Sequence, residues 1–247
     1  MINTIAKITR KFHPRGTERI LRLLNNPDNP DRKIVRTVLE YYNGLKLNID
    51  TSYPIDWFIF FKGTYEENNL KKILPFIKEG NVFLDAGANF GYYSLIFSQT
   101  AEKVYAFEPN PMVYKRLLEN INLNHIRNIV TEPQCLSDVS SKSIKLYTVS
   151  GAEKGNATLS FRSDSKIVEC EATTIDNYFK DKDRLDFIKI DVEGAEDKVL
   201  RGAQETLGRL RPVILFESFK PEQNLSDLLP NYQIETTGID YFLAIPA

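Results

Sequence analysis

The chain of 247 residues is poor in the residues that staple or chelate. It has two cysteines, Cys135 and Cys170, and two histidines, His13 and His125. Two thiols exclude a disulfide framework and a four-cysteine zinc site, and the histidines lie too far apart for a local metal motif. Glycine and proline number 12 each, below average usage, which excludes collagen-like and low-complexity readings. Neither charge sign is in excess: 32 basic against 33 acidic side chains leave a net charge of −1. That balance argues against a whole-surface nucleic-acid binder while leaving local patches open. Long apolar runs are missing too. The longest, Trp57 to Phe61, falls far short of the ~20 residues that span a bilayer. No apolar stretch with a small-residue cleavage site follows Lys7, Arg10 and Lys11, so no signal peptide is expected and a soluble cytoplasmic protein is the expectation.

What is present suits a folded enzyme-sized domain. Hydrophobic residues make up 42% and aromatics 11%, ample for a core. At roughly 150 residues per domain, the length suggests one large domain or a domain with an extension. No internal repeat is visible. Residues 1–30 read as a basic helical extension. Ile2, Ile5, Ile8 and Phe12 recur at helical spacing, as do Ile20, Leu21 and Leu24, and the break falls near His13-Pro14. Lys7, Arg10, Lys11, Arg15, Arg19 and Arg22 stand against Glu18 alone. This face is either a solvated cap or a peripheral dock for anionic lipid or an acidic partner. Residues 31–65 read as a β-hairpin and lead-in, because Asn43-Gly44 between β-rich runs is a strong hairpin signal.

From residue 66 to 247 apolar strands alternate with helices. Strands end at Asp85, Glu108, Asp191 and Glu217, a third is expected near Ile129-Val130 or extended toward Cys135-Leu136, and Tyr232–Ile245 reads as a closing hairpin around Gly238. Alternation of this kind predicts a doubly wound, mostly parallel α/β sheet, which binds ligands at the carboxyl ends of its strands. The most informative stretch is Asp85-Ala86-Gly87-Ala88-Asn89-Phe90-Gly91-Tyr92-Tyr93-Ser94, between a strand and a helix. Gly87 and Gly91 permit a tight turn and close ligand approach, and the helix start offers N–H groups to an anion. Glu108 ends the next strand, about 20 residues on, where a carboxylate meets both hydroxyls of a ribose. The loop lacks the G-x-G-x-x-G dinucleotide pattern. Asp85 at its mouth repels a pyrophosphate but suits an ammonium and a sulfonium. The expected cofactor is therefore S-adenosylmethionine rather than NAD.

These residues resemble a known family. Val82–Ser94 looks like the first motif of the FkbM-type S-adenosylmethionine-dependent methyltransferases. Glu108-Pro109-Asn110-Pro111 matches an acid-Pro-x-Pro stretch, Lys189-Ile190-Asp191-Val192-Glu193-Gly194 a Lys-x-Asp-x-Glu-Gly motif, and Gly63-Thr64-Tyr65-Glu66 a Gly-x-Tyr-Glu motif. The resemblance covers about residues 35–218. It implies the class I methyltransferase fold, Rossmann-like and mostly parallel, with seven strands and an antiparallel last one. It also implies methyl transfer to a hydroxyl of a sugar, glycolipid or other small molecule. Carried over, Asp85, Gly87, Asn89 and Gly91 line the methionine and ribose side, Glu108 holds the ribose hydroxyls, and Ala88, Tyr92, Tyr93, Pro109 and Asp191 belong to the same cofactor site. Ser137-Asp138 is expected beside the adenine, the alternative being a turn or helix cap.

Methyl transfer to an alcohol needs alignment and a proton acceptor. Asp191 and Glu193 are the candidate bases or hydroxyl acceptors and Lys189 the candidate positioning cation; alternatively Lys189 pairs structurally and Glu193 caps the next helix. Glu217 ends the neighbouring strand at the same edge, so the acids converge. Such a cluster also suits Mg²⁺ or Ca²⁺, but no histidine supports it and no metal site is assigned. His125 reads as a helix-end residue facing the dipole, and both cysteines as small buried apolar residues. Residues 151–160 are either a substrate loop or a bare turn. Tyr53, Trp57 and Tyr65 are either core or sugar-stacking aromatics. Rival functions are a nucleic-acid or protein methyltransferase, or a cofactor-holding interaction protein without turnover. The first would want an Asn/Asp-Pro-Pro-aromatic motif, which Glu108-Pro109-Asn110-Pro111 is not.

Overall fold

The computed structural model describes residues 2–12, 17–26, 29, 33–148, 157–158, 166–217, 227–237 and 240–247. Gly238 and the 151–160 segment, apart from 157–158, lie outside the described residues. The helical spacing at the start of the chain forms α1 (Ile2–Phe12) and α2 (Thr17–Leu24). The hairpin β1 (Arg36–Tyr41) and β2 (Leu45–Asp50) follows as a separate antiparallel pair. Its turn is longer than Asn43-Gly44 alone. Tyr41 faces Leu45, and Tyr42, Asn43 and Gly44 all take positive φ, at 22°, 51° and 84°.

The aromatic run becomes a helix, α3 (Pro54–Lys62), which a period-based reading does not reveal. Pro54 sits in its first turn, and Gly63 caps its end at φ 76°. Trp57, Ile59, Phe60 and Phe61 are buried, so the helix is apolar on most sides and has no polar stripe to give it a period. Tyr53 and Trp57 are thus core residues. After α4 (Glu67–Ile73), Pro75 falls in a short 3₁₀ turn, Leu74–Phe76.

The sheet then builds strand by strand: β3 (Val82–Ala86), α5 (Tyr92–Ser98), β4 (Lys103–Phe107), α6 (Pro111–Leu123) and β5 (Ile129–Glu132). Pro133, with no N–H to donate, separates β5 from β6 (Gln134–Leu136). The third strand therefore does not extend to Leu136. Instead β6 pairs with β9 (Lys166–Thr173), which pairs with β7 (Ser141–Thr148) and through it β8 (Ala157–Thr158), forming a second, four-stranded sheet. After α7 (Ile175–Phe179) comes β10 (Phe187–Ile190), then α8 (Glu196–Arg201) and α9 (Gln204–Leu210). One helix was expected there. The two meet at Gly202, where a Cβ would lie 2.1 Å from the Ser137 carbonyl oxygen. The chain closes with β11 (Val213–Glu217), β12 (Tyr232–Thr236) and β13 (Tyr241–Pro246).

The main sheet has seven strands in the order β12-β13-β11-β10-β3-β4-β5. Only β13, the last strand, runs against its neighbours. This is the expected class I methyltransferase arrangement. Both faces are covered, which explains strands apolar at consecutive positions. Phe83, Phe187 and Leu215 face α3, α5 and the hairpin, whereas Leu84, Ile188 and Ile214 face α7, α8 and α9. Among the described residues no helix is long and apolar enough to cross a membrane.

A buried ion pair ties the first 60-odd residues to the sheet. The Arg116 guanidinium of α6 pairs with Asp56 of α3 and lies 4.0 Å from the Tyr53 ring centroid. Asp56 also accepts from the Asp50 amide at 2.6 Å. Burial pushes the Asp56 carboxyl up to about 6 despite the arginine. Arg116→Ala is expected to destabilise the fold by about 3–5 kcal/mol, because it strands a buried carboxylate. Asp56→Asn combined with Arg116→Met should recover part of that loss. Urea midpoints of the three variants check both expectations.

Candidate active site

Parallel strands bring their carboxyl ends to one edge, and the glycine turn opens the cleft there. Gly87 takes φ 78°, and a Cβ on it would lie 1.9 Å from the Asp191 carbonyl oxygen, so β3 and the end of β10 meet closely only with glycine in that place. The Gly87 and Ala88 amides both donate to the Phe107 carbonyl, at 3.0 and 2.8 Å. Asn89 follows at φ 52°, a conformation asparagine tolerates. Its amide donates to Glu108 Oε2 at 2.9 Å, while the Asn110 amide donates to Oε1 at 2.8 Å. Each Glu108 oxygen keeps a further acceptor position. Burial pushes Glu108 up to about 7, although the two amides and Lys189 oppose the shift.

The cleft beside this turn has an empty volume of about 600 Å³, open solvent included. Gly87, Asn89, Glu108, Asp191 and Glu193 supply its polar side, and Phe107, Pro109, Leu136, Leu146 and Val192 its apolar walls. Cys135 also lines it. Ser137 and Asp138 are not among the lining residues. The Ser137 carbonyl lies against Gly202, and its hydroxyl donates to Asp138 at 3.1 Å. Ala88 packs with Ala106, Leu117 and Ile121. Gly91, at φ 96°, has Leu95 and Leu117 methyls within 2.7 Å of where a Cβ would stand. Tyr92 and Tyr93 turn toward the lead-in segment: Tyr92 donates to the Tyr65 carbonyl at 2.5 Å, and Tyr93 to Glu66 Oε2 at 2.7 Å.

Lys189 lies beneath the cleft and does not line it. It is 3% exposed. Its ammonium donates to the Gly87 carbonyl at 2.8 Å and sits 3.4 Å from both Asp85 Oδ1 and Asp191 Oδ2. Burial alone would lower its pKa, but Asp191, Asp85 and Glu66 outweigh that and raise it. Asp85 is fully buried, with Oδ2 accepting from Ser94 at 2.6 Å. Its Oδ1 has no hydrogen-bond partner beyond the nearby ammonium. Glu193 lines the cleft at φ 56°. The cap of the following turn is Glu196, which accepts from the Val192 and Gly194 amides at 3.2 and 2.9 Å.

Asp191 has acid and phenol neighbours. Burial, then Asp191 and Glu193, push Glu217 up to about 9, so at neutral pH it carries a proton and shares it with Asp191. Tyr241 is the cross-strand partner of Glu217. Its hydroxyl lies 3.0 Å from Glu66 Oε1 and 3.4 Å from Asp191 Oδ2. Glu66 and Tyr241 were not assigned to the site from sequence. The antiparallel pairing of β13 with β11 is the signal that would have placed Tyr241 opposite Glu217. Among the described residues no group of three or more His, Cys, Asp or Glu is placed to hold a metal ion.

This arrangement of strand order, glycine turn and acids coincides with a known family: residues 85–243 match the model of the methyltransferase FkbM domain. The chain belongs to the FkbM methyltransferase family. It is an S-adenosylmethionine-dependent methyltransferase. Among its relatives is methyltransferase sdnD of Sordaria araneosa, 29% identical over 237 residues, covering 82% of this chain and 86% of the relative. Hexuronic acid methyltransferase AglP of Haloferax volcanii is 29% identical over 156 residues, 61% of each chain. tRNA (guanine(37)-N(1))-methyltransferase Trm5b of Pyrococcus abyssi is 31% identical over 88 residues, 36% of this chain and 25% of the relative.

Two predictions follow from the FkbM cleft. Lys189→Met should destabilise the fold by about 3–5 kcal/mol, since Asp85 and Asp191 lose their common cation; chemical denaturation reads it. Glu108 is protonated below about 7, and a protonated carboxyl loses acceptor capacity for ribose hydroxyls. S-adenosylhomocysteine affinity should therefore fall by up to about tenfold per pH unit below that point. Glu108→Gln should bind more weakly but with a flat profile, as calorimetry from about pH 5 to 8 would show.

Proposed function

We propose that this chain transfers the methyl group of S-adenosylmethionine to a hydroxyl of a sugar, glycolipid or similar small molecule. The observation that carries this reading is one cleft lined by both Glu108 and Asp191. The residues fit the cofactor. Glu108 has acceptor capacity for two ribose hydroxyls, Pro109 and Leu136 offer apolar walls to a purine, and Asp85 and Asp191 give the negative field that an ammonium and a sulfonium favour.

When bound, the cofactor supplies a carbon already activated toward displacement. The chain's own residues then orient and deprotonate. Gly87, pinned by Lys189, and Asn89 shape the methionine side. Asp191 accepts the hydrogen bond of the acceptor hydroxyl and takes its proton as the new C–O bond forms. The electron pair of the broken C–S bond stays on sulfur. Lys189 acts as a positioning residue, holding Asp191 in place. The hexuronic acid methyltransferase among the relatives supports a sugar acceptor. Asp191 and Glu193, which line the cleft, would repel a phosphodiester backbone, which sets the tRNA methyltransferase relative apart as a guide to the acceptor.

Parallel calorimetry with S-adenosylmethionine and NAD tests the cofactor. The first should bind and the second should not, and Glu108→Ala should weaken binding by roughly 10- to 100-fold, the worth of hydrogen bonds to a charged group. NAD binding without S-adenosylmethionine binding would overturn the reading. Asp191→Asn should abolish methyl transfer while cofactor affinity stays within severalfold; unchanged turnover removes Asp191 from the chemistry.

A further inference from the structure

A second cavity opens on the other side of Asp191. It encloses about 1130 Å³, open solvent included, and lies between α3, the 63–69 lead-in segment and the start of β13. Glu66 and Tyr241 line it, and the Tyr241 hydroxyl reaches Asp191 at 3.4 Å. Asp191 in turn lines the cofactor cleft. A hydrogen bond thus links a wall of the second cavity to a wall of the first.

The chemistry of the second cavity differs from that of the first. Within the aromatic run of α3, Trp57, Ile59, Phe60 and Phe61 are buried, whereas Phe58 is half-exposed and lines this cavity. Lys62, one turn on, places its ammonium 5.1 Å from the Phe58 ring centroid. Tyr65 adds a second ring, and Asn68 and Glu66 add amide and carboxylate groups. Aromatic faces beside convergent hydrogen-bonding groups suit a ligand with one apolar face and a rim of hydroxyls.

We infer that this cavity seats the acceptor as a pyranose ring, stacked by its C–H face on Phe58, with hydroxyls toward Glu66 and Asn68 and the reacting hydroxyl toward Tyr241 and Asp191. The inference rests on the hydroxyl-methyltransferase reading above and adds the substrate class and its seat. The segment that builds most of this seat, residues 58–69, precedes the matched domain, which begins at residue 85, and contains the Gly63–Glu66 stretch that resembles the family's Gly-x-Tyr-Glu motif.

Saturation-transfer NMR on the protein loaded with S-adenosylhomocysteine tests it, with methyl α-D-glucopyranoside and methyl α-D-glucuronide as probes. Both wild-type signals and their loss are informative. Phe58→Ala should weaken probe binding about fivefold, as expected for one lost ring contact. Asn68→Ala, at an exposed position that does not endanger folding, should also weaken it. S-adenosylhomocysteine affinity by calorimetry should stay unchanged in both variants. Probe binding that neither variant alters overturns the seat while leaving the sugar reading intact. Failure of either sugar to bind a wild-type protein that still binds S-adenosylhomocysteine overturns the sugar reading and the seat with it. Equal loss of probe and S-adenosylhomocysteine binding in Asn68→Ala would show one continuous cofactor site and also overturn the proposal.

Discussion

A buried ammonium holds the carboxyl edge of the sheet together. Lys189 is almost wholly withdrawn from water, and an unpaired charge in that position costs several kcal/mol. The cost is offset by three partners that come from different places in the chain: Asp85 at the end of β3, Asp191 just after β10, and the carbonyl of Gly87 in the turn between β3 and α5. Strand register alone aligns Asp85 with Lys189. The lysine then fixes, through one contact set, both the turn that faces the cleft and an acid that lines it. Below it the same face is apolar, with Phe83 and Phe187 stacked at 5.2 Å. Tyr93 and Phe97 of α5 cover both layers, Tyr93 over the ammonium and Phe97 over the rings. The cation therefore has a dry and rigid setting.

That clamp also controls how many protons the acids hold. Asp191 has one cation and three other acids near it, Glu217, Glu193 and Glu196. Like charges at short range do not all ionise. Glu217 is the one forced to keep its proton, and it donates where a second carboxylate would repel. Tyr241 is pushed upward in pKa by burial, then by Asp191 and Glu66, so it stays a donor across the working range. Lys189 pairs with Asp191 from below, and the Tyr241 hydroxyl reaches the same carboxylate oxygen.

The strand ends were legible in the sequence because each consists of an apolar run closed by an acid. Asp85, Glu108, Asp191 and Glu217 all stand where that pattern put them. The alternation of strands and helices made the mostly parallel sheet legible too. Four features were not. Helix α3 is apolar on nearly every side and offers no period. Strand β6 leaves the main sheet at Pro133, whose missing N–H breaks the ladder after a run that otherwise reads as continuous. The Ser137-Asp138 pair was placed by its distance from a third strand that ends earlier than the pattern suggests, and Gln134, Cys135 and Leu136 reach the cleft instead. Tyr241 and Glu66 meet Asp191 only through a long-range antiparallel pairing and a lead-in segment distant in sequence. No local window contains that information.

This division has a physical consequence for specificity. Residues inside the matched domain make the edge, the clamp and the acids, which any acceptor requires. Hydrogen bonds from outside it hold the first part of the chain in place: Glu66 receives Tyr93 and Tyr241, Tyr92 donates to Tyr65, Asn120 and Asn124 accept from the amides of Asn48 and Lys46, and Asp56 pairs with Arg116. They dock the lead-in segment and α3 against the catalytic edge without contributing to the sheet. Phe58 packs edge-on to Trp57 while Asn68 is exposed, and neither takes part in those docking bonds. One fold hosts many activities, so which acceptor is used is a property of the side chains around the site and not of the fold.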